Sequence, residues 1–224
     1  MLKAIIFDCD GVIADTEPIH LAAFRCVLAE EGIALTDEDY FAHYLALDDR
    51  GCFTRSFAQR QATLTPDRLS ELIRRKAGYV ERAMDTDLAL LPGAAEFIQM
   101  AAVRYPLAVA SGALRAEIET VVNHGGVRDC FSAIVSAEDV PRSKPHPDPF
   151  IKALDLLNRQ AAEPIQPGEC LVIEDSIHGL RAAHQAEMRC LAVTNSYPKE
   201  MLTEADLVVD TLLGLALRDV ESLF

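Results

Sequence analysis

Basic residues are scarce. Lys and Arg number 21 against 35 acids, for a formal charge of −14, and no block of basic residues stands anywhere in the 224 positions. A chain so charged is a poor partner for nucleic acid, whose phosphates favour basic surfaces. Apolar runs are short: the N-terminal one is broken by Asp8 and Asp10, and no later stretch approaches the length needed to span a bilayer, so neither a leader nor a membrane partner is expected. The six cysteines (Cys9, Cys26, Cys52, Cys130, Cys170 and Cys190) are scattered and form no C-x-x-C pair, which points to reduced thiols in a cytoplasmic protein. The six histidines show no metal-ligand spacing. There is no internal repeat and no low-complexity segment. What remains is a chain that is 50% hydrophobic, enough for a sizeable core in one domain carrying an insertion.

The chain is organised around residues 3–17, KAIIFDCDGVIADTE. Ala4, Ile5, Ile6 and Phe7 form a continuous apolar run, the pattern of a short parallel strand buried on both faces, and it stops at two acids. Residues two apart on an extended backbone project to the same side, so Asp8 and Asp10 can share a crevice while Cys9 points away as a small packing residue. Gly11 then allows a sharp turn. Two carboxylates this close repel, so one holds a proton or a cation sits between them.

Helical spacing follows at residues 18–31 (Ile19, Ala23, Phe24, Val27, Leu28), after Thr36 with its acidic first turn, and after Thr65-Pro66, where Leu69, Leu72, Ile73, Ala77, Val80 and Met84 define one face. No convincing strand lies between residues 15 and 88. From Leu91-Pro92-Gly93 onward the pattern alternates: a helix around Phe97 and Ile98, a strand at 107–110, a helix at 115–124, a strand at 133–136, a proline-rich loop at 141–149, a helix at 150–159, strands at 170–173 and 190–194 around a helix at 178–186, and a last short strand at 206–210 before a terminal amphipathic helix. This predicts an α/β fold: a Rossmann-like parallel sheet with helices on both faces, formed by residues 1–14 and 90–224, and an inserted all-helical cap domain at 15–89, hinged at 13–17 and 89–92.

Open parallel sheets bind ligands beyond the carboxyl ends of their strands. Four such ends carry polar groups here: Asp8 and Asp10; Ser111 with the amides of Gly112 and Ala113; the loop leading to Lys144; and Glu174-Asp175. Taken singly, Lys144 reads as a solvated loop lysine, Ser111 as a helix cap and Glu174-Asp175 as a turn. Their convergence on one rim is what points to chemistry.

The motifs FDCDGVIADTE (7–17), VASG (109–112), SKPHPDPF (143–150), VIEDSIHG (172–179) and the late ADLVVDTLLGL resemble, in order and over essentially the whole chain, the haloacid dehalogenase-like superfamily in its helical-cap phosphotransferase branch. The resemblance implies that Asp8 is a nucleophile forming an aspartyl phosphate and that Asp10 is a general acid and base whose backbone carbonyl binds metal. It also implies that Ser111, Gly112 and Ala113 hold phosphoryl oxygens, that Lys144 offsets charge, and that Glu174 and Asp175 complete a Mg2+ site with Asp8. Asp10 points to phosphate rather than halide chemistry. Several acids around a phosphate dianion need such a cation in any case.

By the same resemblance the cap stretch 44–51 presents substrate-contacting residues, with Arg50 and Arg55 as candidates to grip a distal anion, although an exposed helical arginine fits each equally well. The expected activity is a Mg2+-dependent phosphatase acting as a monomer on a small phosphate ester of sugar-phosphate or phosphoglycolate type. The alternative is a β-phosphoglucomutase-like mutase. That relative has a lysine beside a glycine ahead of the arginine, where Ala46 and Leu47 stand here, while Arg50 is retained. A non-catalytic binding protein on the same fold is the weakest reading. His20, near the hinge, is the histidine to watch.

Overall fold

In a computed structural model, residues 1–45 and 47–224 are described, and they form two compact units: Met1–Asp15 with Ala89–Phe224, and Thr16–Leu88. The first unit is built on a six-stranded, wholly parallel sheet, counted among the described residues, in the order β3-β2-β1-β4-β5-β6. The strands are β1 (Ala4–Phe7), β2 (Leu107–Ala110), β3 (Phe131–Val135), β4 (Cys170–Glu174), β5 (Arg189–Val193) and β6 (Leu207–Val209). The order reverses between β1 and β4, so a crevice opens beyond the carboxyl ends of those two strands. Every residue of β1, β2 and β4 is buried, as a sheet covered on both faces requires.

One sheet face, with Ala4, Ile6, Ala108, Ala110, Val172 and Ala192, packs against α7 (Asp148–Asn158) and α8 (Ile177–Gln185) through Phe150, Leu154, Leu157 and Leu180. Small residues on the strands let these helices approach closely. On the other face Phe7 meets Phe97 of α5 (Ala94–Ala102) edge-on at 6.2 Å and Phe131 at 5.8 Å. Burial of each such ring contributes roughly 1.5–3 kcal/mol. The unit is completed by α6 (Arg115–His124) and α9 (Leu217–Glu221). The terminal helix expected is α9, five residues long.

The second unit is helical: α1 (Glu17–Glu30), α2 (Asp37–His43), α3 (Asp49–Ala58) and α4 (Pro66–Asp87). Thr36 and Thr65 cap as their types suggest, accepting from the amides of Asp39 (3.1 Å) and Arg68 (3.3 Å). Apolar side chains of all four helices form its core, with the rings of Phe24 and Phe53 5.3 Å apart. Two features differ from the sequence reading. Residues 44–51 hide the start of α3, where Asp48 accepts from the Gly51 amide at 2.8 Å; Ala46, one of the positions contrasted with mutase relatives, lies outside the described residues.

The buried stripe of α4 runs through Leu72, Lys76, Val80 and Met84, with Lys76 in the place expected for Ala77. A lysine is 1% exposed there because its charge is matched: Nζ lies 2.7 Å from Asp49 Oδ1, 2.6 Å from His20 Nδ1 and 5.0 Å from the Phe24 ring centre. His20 therefore belongs to a buried polar cluster that ties α1, α3 and α4 together. Lys76→Ala leaves the half-buried Asp49 without its cation and should destabilise the protein by about 3 kcal/mol, readable as a loss of melting temperature.

Candidate active site

The crevice at the sheet's switch point is lined by the strand ends singled out in the sequence. The β1–β4 ladder runs one residue past β1, since the Asp8 amide donates to Ile173 O at 2.9 Å; this fixes the Asp8 side chain at the rim. Its Oδ1 accepts from the Cys9 amide at 2.7 Å and lies 2.9 Å from Lys144 Nζ. Lys144 arrives from the loop between β3 and α7, lies over the Phe150 ring at 5.0 Å, and donates to Glu174 Oε1 at 2.6 Å. Carboxylate oxygens of Asp8, Glu174 and Asp175 all lie within 4.8 Å of one another, and all three residues are buried.

Two glycines make that density of acids possible. A Cβ on Gly11 would sit 1.9 Å from Asp175 Oδ2, and Gly11 has φ +73°, where side chains are strained in any case; a Cβ on Gly179 would sit 1.8 Å from Glu174 Oε1. Glu174 is held further by its own loop: Oε2 accepts from the amides of Asp175 (2.8 Å) and Ser176 (2.9 Å) and from the Ser176 hydroxyl (2.9 Å). Ser176 Oγ in turn accepts from the Gly179 amide at 3.0 Å, capping α8. Gly179→Ala should push the Glu174 carboxylate off these partners. A fall in turnover of about 10- to 100-fold is expected, measured beside a melting curve to separate it from unfolding.

Three carboxylates against one ammonium leave excess negative charge in a buried place. Burial is the main force pushing Asp8 up to about 8; Glu174 and Asp10 add to it and Lys144 opposes it. Burial, then Glu174 and Asp8, likewise raise Asp175 well above the usual carboxylate range. Burial also works against ionisation of Glu174, but Lys144 and the loop amides hold that group below its ordinary value. For Lys144, burial favours the neutral amine, and the charges of Asp8 and Glu174 outweigh it, so the ammonium persists. An oxygen-seeking dication fits this set: the donors are all hard oxygens, they converge, and the charge surplus is of the sign a cation removes.

Asp10 and Ser111 form a second pair. Ser111 Oγ donates to Asp10 Oδ2 at 3.2 Å and accepts from the Ala113 amide at 3.1 Å. The Ala113 amide is thus engaged by its own loop, while Gly112 stays partly exposed. Arg50, exposed in the first turn of α3, and Arg55, 5.9 Å from the Tyr44 ring centre, lie in the helical unit. Sequence reasoning missed Ser176 and Ser196. The first is signalled by a serine at the cap position after a strand-end acid. The second, whose hydroxyl donates to Asp175 Oδ2, lies beyond a fifth strand end, β5, that the same rim rule would have included.

The haloacid dehalogenase-like hydrolase family matches residues 5–193, which take in the sheet except for Ala4, the first residue of β1, and strand β6. The chain belongs to that family. Among relatives of these hydrolases, the fructose-1-phosphate phosphatase YqaB of Escherichia coli is 32% identical over 194 residues, covering 84% of this chain and 95% of that one. The crystal structure of CbbY from Rhodobacter sphaeroides in complex with xylulose-(1,5)bisphosphate superposes with a TM-score of 0.85 at 28% identity, covering 96% and 97% of the two chains. The β-phosphoglucomutase of Clostridium difficile gives 0.87 at 25% identity, covering 100% of this chain and 97% of that one. Among the described residues no helix is long and apolar enough to cross a membrane.

Proposed function

We propose that this hydrolase is a Mg2+-dependent phosphatase of small phosphorylated sugars, working through an aspartyl phosphate on Asp8. The observation that carries the reading is the setting of Asp8: at the end of β1, 2.9 Å from Lys144, with Glu174 and Asp175 close enough to share one cation with it. Asp8, Glu174, Asp175 and the Asp10 backbone carbonyl would hold magnesium, which offers Lewis-acid neutralisation of phosphate charge.

In the first half-reaction an Asp8 carboxylate oxygen attacks phosphorus, the ester P–O bond breaks, and Asp10 gives its proton to the departing alkoxide. In the second, water attacks the same phosphorus, its proton passes to Asp10, and inorganic phosphate leaves with Asp8 restored. Lys144 balances the charge of the transferring group, and the Ser111 hydroxyl with the Gly112 amide hydrogen-bonds its oxygens, while the Ala113 amide supports the Ser111 oxygen. The Ser111–Asp10 bond at 3.2 Å is long enough for the hydroxyl to turn to a phosphoryl group instead. The sugar-phosphate preference rests on the phosphosugar substrate and ligand named for the YqaB and CbbY relatives. The helical unit, with Arg50 as the candidate for a distal anion, would set selectivity among such substrates.

The test is a turnover screen with Mg2+ over phosphorylated sugars, including fructose 1-phosphate, xylulose 1,5-bisphosphate, phosphoglycolate, and β-glucose 1-phosphate with its bisphosphate activator. Release of inorganic phosphate from a sugar phosphate is the expected result. Formation of glucose 6-phosphate without net phosphate release would identify a mutase instead.

A further inference from the structure

The structure assigns Ser196 as a positioning residue for the acid cluster: we infer that its hydroxyl holds the Asp175 carboxylate in the orientation that binds the cation. This rests on the metal reading above and adds a residue from a strand end that no motif of the family resemblance includes.

Asp175 is 3% exposed and its carboxylate has two close neighbours. One is Gly11, where an added Cβ would lie 1.9 Å from Oδ2, 2.5 Å from Cγ and 3.2 Å from Oδ1; the carboxylate presses on bare backbone there. The second is Ser196, whose Oγ donates to Oδ2. An aspartate's terminal torsion is broad and roughly two-fold, so packing against one glycine does not choose which oxygen faces inward. A donor fixed on Oδ2 does choose, and it leaves Oδ1 as the oxygen to offer a cation.

A hydroxyl can do this only if its own loop is rigid, and the loop after β5 is pinned at both ends. Before Ser196, the Thr194 amide donates to Val209 O at 3.0 Å and the Thr194 hydroxyl to Asp210 Oδ1 at 3.3 Å, tying the loop to the end of β6. After it, Tyr197 packs against the core beneath α7 and α8, and Pro198 leads into a short helical turn at Lys199–Met201. Ser196 is thus delivered from the far side of the sheet's switch point, opposite Lys144. A hydroxyl that orients a ligating carboxylate is worth about 10- to 100-fold in metal affinity.

The experiment is a calorimetric titration of MgCl2 into the substrate-free full-length protein, for wild type, Ser196→Ala, Ser196→Thr and Ser196→Val, with melting curves and the Mg2+ dependence of turnover. Thr and Val have the same shape and differ in the hydroxyl, so that pair decides the matter even if the Ala variant folds poorly. The expected result is Mg2+ binding weakened at least 10-fold in Ala and Val and recovered to within about threefold in Thr. The loss should fall mainly on the Mg2+ concentration for half-maximal turnover rather than on kcat. Affinities of the Val and Thr variants within twofold of each other would overturn the assignment while leaving the metal site in place. Absence of Mg2+ binding in the wild type would overturn it together with the reading beneath it.

Discussion

Asp8→Asn should lose turnover by about 10⁴-fold or more while melting within a few degrees of wild type. The amide is close to the carboxylate in shape, and an asparagine Oδ1 can still accept from the Cys9 amide and from Lys144, whose partners there now lie at 2.7 and 2.9 Å. What disappears is the oxygen proposed as nucleophile and a buried carboxyl whose ionisation Glu174 and Asp10 oppose. Catalysis and stability therefore move independently at this position. An Asp8→Asn protein retaining a tenth of wild-type turnover would remove Asp8 from the role of nucleophile.

Lys144→Ala should damage both. Its ammonium neutralises Asp8 and Glu174 at 2.9 and 2.6 Å, with lysine and acids all nearly inaccessible to water. Deleting one member of such a buried cluster leaves uncompensated charge, worth about 3–5 kcal/mol, and in a chain of this size that lowers the melting temperature on the order of 10 °C. Saturating Mg2+ should restore part of the lost stability, because a cation held by Asp8, Glu174 and Asp175 relieves the same repulsion. It should not restore turnover, which on the proposed mechanism loses about 10²- to 10³-fold with the charge that would face the transferring group. A Lys144→Ala protein whose melting temperature in EDTA equals that of wild type would show that the cluster was balanced by protons and never depended on the lysine.

Much of this was legible in the sequence because strong local patterns coincided with the global fold. The four-residue apolar runs of β1 and β2 can be satisfied only by a sheet covered on both faces, and the polar residue after each marks the rim. Asp8, Ser111, Lys144, Glu174 and Asp175 could be placed on that rim because a parallel sheet puts the carboxyl ends of all its strands on one side. The misses have equally definite causes. Lys76 broke the apolar periodicity of α4, and only the three-dimensional meeting of α1, α3 and α4 supplies the aspartate that permits its burial. The start of α3 was masked by Gly51, which reads as a breaker but stands inside a turn capped by Asp48. Gly179 shows its purpose only when the Glu174 carboxylate is seen occupying the space of its absent side chain. Ser196 sits 21 residues from the acid it touches, and only its place beyond the end of β5 announces it.

The most direct test of the central claim is to catch the phosphoryl group on the enzyme. Rapid acid quench during turnover of a sugar phosphate, followed by borohydride reduction and peptide mass spectrometry, converts an acyl phosphate of aspartate to homoserine. The account predicts homoserine at position 8, formed only with Mg2+ and substrate and absent from Asp8→Asn. Homoserine at position 10 or 175, or phosphate release with residue 8 unlabelled throughout, would contradict it.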